Sequence, residues 1–150
     1  ASIRRALSEP EPSPILLHGV TGSGKTELYI QAIQEAVRQG RSALILVPEI
    51  VLTPQLISRI RKRLSVPVVS WHSRLTGREK WRQWLLLHRV APVVVIGARS
   101  SVFVPVRDLG LIVVDEEHDP SFKQEEGLLY HARDVAVVRS RHQAIPLILG

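Results

Sequence analysis

Short runs of hydrophobic residues alternate along the chain with longer segments in which hydrophobic positions recur every three or four residues. Six runs are rich in Val, Ile and Leu and are mostly continuous: Ile15–Leu17, Ala43–Val47, Val66–Val69, Val93–Ile96, Leu111–Val114 and Ile145–Leu149. Continuous runs of this length are typical of strands that are buried on both faces of a parallel sheet. The pattern therefore predicts six central strands.

The segments between these runs predict four helices. In the first, hydrophobic positions recur on one face, and Gly40 is a suitable residue for its end. The second begins at Thr53-Pro54, where Thr is a good N-cap and Pro fits the first helical position. The third begins at Thr76-Gly77-Arg78-Glu79, which has the pattern of a capping box. The fourth covers about residues 131–142.

The alternation of strands and helices predicts an α/β domain, a parallel sheet with helices on both faces. This domain extends over 14–150, and residues 1–13, which are polar and contain two prolines, are expected to be a loose lead-in segment. Trp81 and Trp84 are three residues apart on the third predicted helix. We expect both of these tryptophans to lie in the core, since large aromatic side chains dominate core packing.

A phosphate-binding loop is predicted between the first strand and the first helix. Gly19-Val20-Thr21-Gly22-Ser23-Gly24-Lys25-Thr26 matches the pattern G-x-x-x-x-G-K-[S/T]. Its glycines and the helix start let backbone N–H groups converge on phosphate oxygens. The predicted nucleotide-binding residues are Gly19, Thr21, Gly22, Ser23, Gly24, Lys25 and Thr26. Lys25 is expected on the β- and γ-phosphates and the Thr26 hydroxyl on Mg²⁺. A chance match is the alternative, and the strand–loop–helix context disfavours it.

An acidic segment, Asp115-Glu116-Glu117-His118, follows the hydrophobic run Leu111–Val114. Ligands of open α/β sheets bind outside the carboxyl ends of the strands. Asp115 is therefore expected beside the phosphate loop, where it can hold Mg²⁺, and Glu116 can activate the attacking water. A solvated acidic turn is the alternative for this segment alone. Together with the phosphate loop it favours NTP hydrolysis, whereas a nucleotide kinase has no need of Asp-Glu-x-His.

Charge and cysteine content narrow the class of protein further. The chain carries 20 Lys and Arg against 14 Asp and Glu, a net charge of +6, with a sequence pI near 10.5. A basic balance of this kind is a first indication of a nucleic-acid partner, although a solvated basic surface would produce it too. There are no cysteines and no apolar run long enough for a membrane span. We therefore expect a cytoplasmic protein.

The motifs in combination resemble the PriA family of superfamily 2 replication-restart DNA helicases. The resemblance covers about residues 14–150 and rests on five segments. These segments are Leu16–Glu27 (motif I), Leu46–Gln55 (motif Ia), His72-Ser73 with Trp84-Leu85, Val95–Phe103 (motif Ib), and Asp115–Asp134 (motif II and its aromatic-rich loop). The combination is far more specific than any single motif.

The resemblance implies a function, cofactors and partners. It implies the first RecA-like motor lobe of a bacterial 3′→5′ helicase that uses ATP and Mg²⁺ to move on single-stranded DNA during replication restart. Fork DNA and primosome or single-strand-binding proteins are the implied partners of the whole protein. Gly150 resembles the first residue of motif III, so we expect a piece of a longer chain whose second lobe, arginine finger and zinc-binding insertion lie outside it.

Residue roles are also carried over from the family by position. The implied catalytic residues are Lys25, Asp115, Glu116 and His118, with Thr26 and Asp115 on the metal. The implied DNA-binding residues are Thr53, Gln55, Arg99, Ser100, Ser101, Phe122, Lys123, Tyr130 and His131. In this scheme Phe122 and Tyr130 stack on bases and report DNA to Glu116. The alternatives are that Thr53 is only a helix cap, that Arg99 is an ordinary surface arginine, and that the loop aromatics pack the loop onto the sheet.

Two other functions stay open on the sequence. The first is the motor lobe of a different superfamily 2 translocase that acts on duplex DNA, which the aromatic-rich loop disfavours. The second is a module that binds ATP and DNA without turnover. The isolated chain is expected to be nearly inactive in hydrolysis because the arginine finger is absent from it. ATPase activity with and without single-stranded DNA discriminates among these functions.

Overall fold

The central feature of the fold is a six-stranded parallel sheet, seen in a computed structural model that describes residues 2–19 and 24–150. Its strands are β1 (Ile15–Leu16), β2 (Ser42–Leu46), β3 (Val68–Trp71), β4 (Val94–Gly97), β5 (Leu109–Val114) and β8 (Leu147–Leu149). They lie in the order β1-β8-β5-β2-β4-β3, and every neighbouring pair is parallel. All six predicted strands are confirmed, and the α/β fold with them.

The four predicted helices are present, and their N-terminal signals act as expected. They are α2 (Lys25–Arg38), α3 (Pro54–Arg63), α4 (Gly77–Arg89) and α5 (Ala132–Gln143). The Thr53 hydroxyl accepts a hydrogen bond from the N–H of Leu56. Thr76 and Glu79 form the complete reciprocal capping box. Each cap satisfies N–H groups that the first helical turn would otherwise leave unpaired.

The N-terminal segment differs from the loose lead-in that its composition predicts. A short helix, α1 (Ser2–Ala6), precedes the domain, and Ile3 and Leu7 pack against the core beneath α2. Burial of these two apolar side chains stabilises a helix that is too short to be stable alone. The expectation of an irregular chain is correct only for the proline-containing residues 9–14.

Two hydrophobic cores lie on the two faces of the sheet. Alternate residues of β2 enter different cores: Ala43 and Ile45 pack with α2 and α3, whereas Leu44 and Leu46 pack on the other face, where α5 lies. The central strands are buried on both faces, which explains why their sequences are continuous hydrophobic runs. The carboxyl ends of the strands, where ligands of such sheets bind, are thus supported by a packed core on each face of the sheet.

The two tryptophans of α4 contradict their predicted burial. Trp81 is 61% exposed and Trp84 is 38% exposed, and Leu87 is the buried side chain of this helix. The i, i+3 spacing correctly placed the tryptophans on one stripe of the helix. It could not decide which stripe faces the sheet, because consecutive leucines at 85–87 supply apolar side chains around much of the helix. Trp71, in contrast, is partly buried against the second core.

A small antiparallel hairpin projects after β5. It consists of β6 (Lys123–Gln124) and β7 (Tyr130–His131), joined by residues 125–129 with Gly127 at φ 70°. Phe122, directly before β6, is fully buried in the second core. The segment predicted as a polar loop is therefore an anchored hairpin. Among the residues that the structure describes, no helix is long and apolar enough to cross a membrane.

Candidate nucleotide site and DNA-facing edge

The predicted phosphate-binding and acidic residues meet at the carboxyl edge of the sheet. β1 leads toward the phosphate loop, β5 ends directly before Asp115, and α2 begins at Lys25. A cavity of about 370 Å³ opens at this point. It is lined by Gly24, Lys25, Thr26, Glu27, Val51, Arg59, Asp115 and Glu116. Thr21, Gly22 and Ser23 lie outside the described residues, so their predicted contacts stay predictions.

The start of α2 suits an anionic ligand. Gly24 is the N-cap at φ 87°, and its position offers no side chain to cap the first turn. The N–H groups of the first helical turn and the positive end of the helix dipole favour a phosphate there. A positive φ is easily adopted by glycine, which explains the residue type at this position.

Lys25 reaches from the helix start to the acidic turn. Its Nζ lies 3.9 Å from Oε1 of Glu116, and the lysine side chain is only 10% exposed. This contact brings together the two groups that the sequence assigns to the phosphates and to the attacking water. A partly buried Lys–Glu contact of this length leaves room for a ligand oxygen to take its place.

Asp115 is held by the sheet and by Tyr29, a residue of α2 that was not among the predicted site residues. Its backbone N–H donates to the carbonyl of Leu46, 2.9 Å away. The hydroxyl of Tyr29 donates to Oδ1 of Asp115 over 3.0 Å. Tyr29 lies one turn after Lys25, so α2 supplies both the phosphate-binding lysine and the support of the carboxylate. A tyrosine at this helical spacing was the available signal.

Burial sets the electrostatics of this pair. It raises the pKa of Asp115 above its usual range, and the neighbouring Glu116 adds to the rise while the Tyr29 hydroxyl and Lys25 oppose it. Burial and the adjacent Asp115 together raise the pKa of Tyr29, which stays a protonated donor. Burial thus makes an ionised Asp115 costly, and a bound cation would offset that cost.

The oxygens at this edge fit a magnesium site. Mg²⁺ is commonly bound by one or two protein oxygens together with substrate phosphates and water. The Asp115 carboxylate and the Thr26 hydroxyl line the same cavity and are oxygens of that kind. Within the described residues there is no cluster of three or more His, Cys, Asp or Glu side chains that could hold a metal without such a ligand.

Glu116 occupies an unusual backbone conformation. Its φ is 52°, in the left-handed region that non-glycine residues rarely adopt. The turn is fixed by hydrogen bonds from the N–H of Asp119 to the Glu116 carbonyl at 2.8 Å and from the N–H of Glu117 to the Gly150 carbonyl at 2.9 Å. Backbone strain of this kind is concentrated at functional sites. His118, an exposed residue, places Nε2 3.5 Å from Oε2 of Glu116.

The residues predicted to contact DNA divide into exposed and buried groups. Gln55, Ser100 and Lys123 are exposed, and Thr53, Arg99, Tyr130 and His131 are partly exposed. Ser101 and Phe122 have no exposed surface, which contradicts their predicted DNA contacts. The Ser101 hydroxyl donates to the Ala98 carbonyl at 2.5 Å, and Phe122 fills the core. The alternative that the loop aromatics pack onto the sheet is correct for Phe122.

Several of the partly exposed residues also have structural partners. Thr53 caps α3, and His131 caps α5 by accepting a hydrogen bond from the N–H of Arg133 at Nδ1. Tyr130 packs edge-to-face on Phe103 with ring centroids 4.8 Å apart. Phe103 is 52% exposed and was not among the predicted DNA-binding residues. An aromatic residue two positions after the Arg-Ser-Ser segment was the signal that could have identified it.

The fold and site define a RecA-like P-loop NTPase domain of the helicase type. A family model described as DEAD/DEAH box helicase matches residues 1–147. The chain belongs to the DEAD/DEAH box helicase family.

Curated relatives agree with this membership, and a solved structure shares the fold. The chain is 47% identical over 148 residues to replication restart protein PriA of Bacillus subtilis, covering 99% of this chain and 18% of the relative. It is 53% identical over 140 residues to the protein of the same name from a Synechocystis species, covering 91% of this chain and 16% of the relative. RecG bound to a three-way DNA junction shares the fold, with a TM-score of 0.69, 24% identity, and coverage of 98% of this chain and 19% of RecG. The chain thus spans under a fifth of the length of these proteins.

Proposed function

We propose that this chain is the ATP-binding motor lobe of a 3′→5′ DNA helicase that couples ATP hydrolysis to movement along single-stranded DNA in replication restart. The observation that carries the proposal is the meeting of Lys25, Thr26, Asp115 and Glu116 around one cavity. The name of these relatives, replication restart protein PriA, supports the assignment to replication restart. The polarity and the implied primosome partners rest on the family resemblance alone.

Each group around the cavity has a specific role in this proposal. Lys25 binds the β- and γ-phosphate oxygens, and the N–H groups at the start of α2 bind phosphate as well. Thr26 and Asp115 would hold Mg²⁺, which would supply positive charge beside the phosphates. Glu116 accepts a proton from the attacking water, and its contact with Lys25 is exchanged for contacts with the nucleotide. His118, whose Nε2 lies 3.5 Å from Oε2 of Glu116, takes the role that the family resemblance implies, a link between the γ-phosphate and motif III.

Tyr29 supports the acid pair without touching the nucleotide in this proposal. Its hydroxyl occupies one lone pair of Asp115 Oδ1 and so fixes the carboxylate orientation. The Asp115 side chain also lines the cavity. A donor beneath a metal-binding carboxylate is a common arrangement, because orienting the ligand increases metal affinity.

Two substitutions in the full-length protein test the assignment of Lys25 and Glu116. Lys25→Ala should weaken binding of ATP, because the phosphates lose their charged partner. Glu116→Gln should keep the affinity for ATP and slow hydrolysis strongly, because only the base is lost. Titration with a fluorescent ATP analogue and steady-state ATPase measurements separate the two effects. Lys62→Ala, an exposed lysine on α3, is the control that should change neither. Equal losses of affinity in both variants would show that Glu116 is not the base.

The isolated chain provides a second test of the motor-lobe assignment. It should bind Mg-ATP weakly and hydrolyse it very slowly, since an arginine finger contributes about 10³–10⁵-fold to the rate in related sites. Turnover by the isolated chain at the rate of the full-length protein would contradict the proposal. Binding without turnover under all conditions, in the full-length protein also, would favour the module that binds ATP and DNA only.

We propose that the exposed residues beside the carboxyl edge of the sheet bind one DNA strand mainly through its phosphates. Gln55, Ser100 and Lys123 are exposed donors for such contacts. Binding of a fluorescent oligonucleotide should therefore be independent of sequence and should weaken steeply with salt. A flat salt response, or a strong preference for one sequence, would contradict a phosphate grip. Tyr130 and the exposed Phe103 take the place of Phe122 as the proposed surface for base stacking.

A further inference from the structure

Arg99 makes contacts that differ from those of a free DNA-binding arginine. It lies at the start of a short 3-10 helix, Arg99–Phe103, which follows β4 at the functional edge. Its Nη1 donates to the carbonyl of Ser121 over 3.3 Å and to the carbonyl of Lys123 over 3.1 Å. The two acceptors are on either side of the fully buried Phe122. The guanidinium therefore binds the backbone at the point where the catalytic turn becomes the hairpin.

A short series of hydrogen bonds continues from these carbonyls to Glu116. The N–H of Ser121 donates to Oδ1 of Asp119 over 2.8 Å. The N–H of Asp119 donates to the Glu116 carbonyl, also over 2.8 Å. Since Glu116 has a strained backbone at φ 52°, the position of this turn depends on the bonds that hold it. Arg99 thus lies at one end of a bonded segment whose other end is the proposed catalytic base.

The same carbonyls also fix the hairpin. Lys123 pairs with His131, and Gln124 pairs with Tyr130, so the base of the hairpin is the strand that Arg99 binds. The tip is held separately by the Gln124 amide, which donates to the carbonyls of Glu126 at 3.0 Å and Leu128 at 2.9 Å. The hairpin is thus bonded within its own tip, and Arg99, in the 3-10 helix that follows β4, contacts the backbone at its base.

We propose that Arg99 is a positioning residue that couples the hairpin of residues 123–131 to the catalytic turn of residues 115–119, and is not primarily a ligand of DNA phosphate. The proposal rests on the proposed function, because it assumes that DNA on the hairpin stimulates hydrolysis. A guanidinium suits the role because the two N–H donors of Nη1, which serve both carbonyls, are fixed in the guanidinium plane, whereas the donors of an ammonium group rotate freely.

The test uses the full-length protein with Arg99→Gln and Arg99→Lys. Arg107→Gln is the matched control, because Arg107 is an exposed arginine before β5, at the opposite edge of the sheet. ATPase rates are measured against the concentration of single-stranded DNA, which gives the basal rate, the maximal stimulation and the half-saturating DNA concentration. Hydrogen exchange of the amides of residues 116–124 reports the turn directly, without activity.

The coupling role predicts a specific pattern. Both Arg99 variants should lose maximal stimulation about 5–150-fold, the range of an ordinary coupling free energy. Their basal rate and half-saturating DNA concentration should stay near those of the unsubstituted protein and of Arg107→Gln. The amides of Ser121 and Lys123 should exchange faster in both variants, because their segment loses its anchor.

Three outcomes would overturn the proposal. The first is a higher half-saturating DNA concentration with normal maximal stimulation, together with a salt dependence of DNA binding whose slope is reduced by about one. If Arg99→Lys restores normal binding as well, Arg99 is a phosphate ligand. A parallel fall of basal and stimulated rates with a lower unfolding temperature would identify a purely structural residue. Unchanged stimulation in both variants would show no role in coupling. If the unsubstituted protein shows no stimulation by DNA, the proposed function itself fails, whatever the Arg99 variants do.

Discussion

In two aromatic regions of this molecule, burial is the opposite of what the sequence suggests. Phe122 lies in a polar segment after the acidic turn, yet it is 0% exposed and belongs to the core. Trp81 and Trp84 lie on an amphipathic helix, yet they are 61% and 38% exposed. Phe122 is buried because it anchors a short loop to the core. On α4, in contrast, Leu87 is the side chain buried against the sheet, and the two tryptophans lie on a part of the helix surface that the sheet does not cover.

The largest expected effect is that of Phe122→Ala. Removing a fully buried phenylalanine should reduce the free energy of unfolding by about 3–5 kcal/mol, because transfer and cavity costs add. Chemical denaturation of the full-length protein, followed by a probe within this domain, measures the change. Phe122→Leu is the milder control, since it keeps most of the apolar volume. A loss below about 1 kcal/mol for the alanine variant would place Phe122 outside the core and restore it as a possible contact for DNA.

The second expected effect concerns Tyr130, the aromatic of the same hairpin that is partly exposed. Stacking on one base contributes about 1–3 kcal/mol. Tyr130→Ala should therefore reduce the stimulation of ATP hydrolysis by single-stranded DNA roughly 5–150-fold, while ATP affinity and the basal rate stay unchanged. Tyr130→Phe keeps the ring and should keep the stimulation. A fall in the basal rate of the alanine variant would show that Tyr130, like Phe122, serves packing alone.

A smaller effect on the free energy of unfolding is expected for an exposed ion pair, whose contribution depends on charge and not on burial. Glu27 of α2 accepts two hydrogen bonds of 2.9 Å from Arg63 of α3, and this pair lowers the pKa of Glu27 to about 2. A carboxyl whose pKa is lower in the folded state than in the unfolded state stabilises the folded state at pH values above its unfolded pKa. Its contribution should therefore be complete above about pH 5 and should disappear as the pH falls from about 4.3 toward 2.

The pH effect is measured by comparing unfolding of the unsubstituted protein and Glu27→Gln between pH 2 and pH 7. The difference between the two proteins should shrink as the pH falls, and added salt should reduce it as well. Glu9→Gln is a control, since Glu9 is a surface carboxylate whose contact with the exposed Arg5 is 3.8 Å long. A difference that is constant with pH would show that the pair has no electrostatic role.

The smallest effect is expected for Trp81→Ala, the counterpart of Phe122→Ala. Because most of its side chain is exposed, the substitution should change the free energy of unfolding of the isolated domain by about 0.5 kcal/mol or less. Acrylamide should quench the fluorescence of Trp81 efficiently in the isolated chain. If the same tryptophan is shielded in the full-length protein, another part of that protein covers α4. If it is shielded in the isolated chain, the comparison with Phe122 fails.

The elements of the fold were largely predictable because local chemistry specifies them. Strands buried on both faces must be continuous runs of apolar residues, and Thr53 and Thr76 begin helices for reasons confined to one turn. The meeting of Lys25 with Asp115 and Glu116 was predictable too, since the carboxyl ends of parallel strands share one edge. The roles of individual loop residues were not predictable to the same degree, as Ser101 and Phe122 illustrate.

The sequence by itself therefore determined the α/β fold, the starts of its helices and the type of site at the carboxyl edge. Only the tertiary structure decided which side chains lie at that edge and which residues they contact. Tyr29 supports Asp115 from 86 residues away, and Arg99 binds carbonyls more than 20 residues further along the chain. The physical reason is that periodicity and capping act within a few residues, whereas burial and long-range hydrogen bonds depend on how separate elements pack against each other.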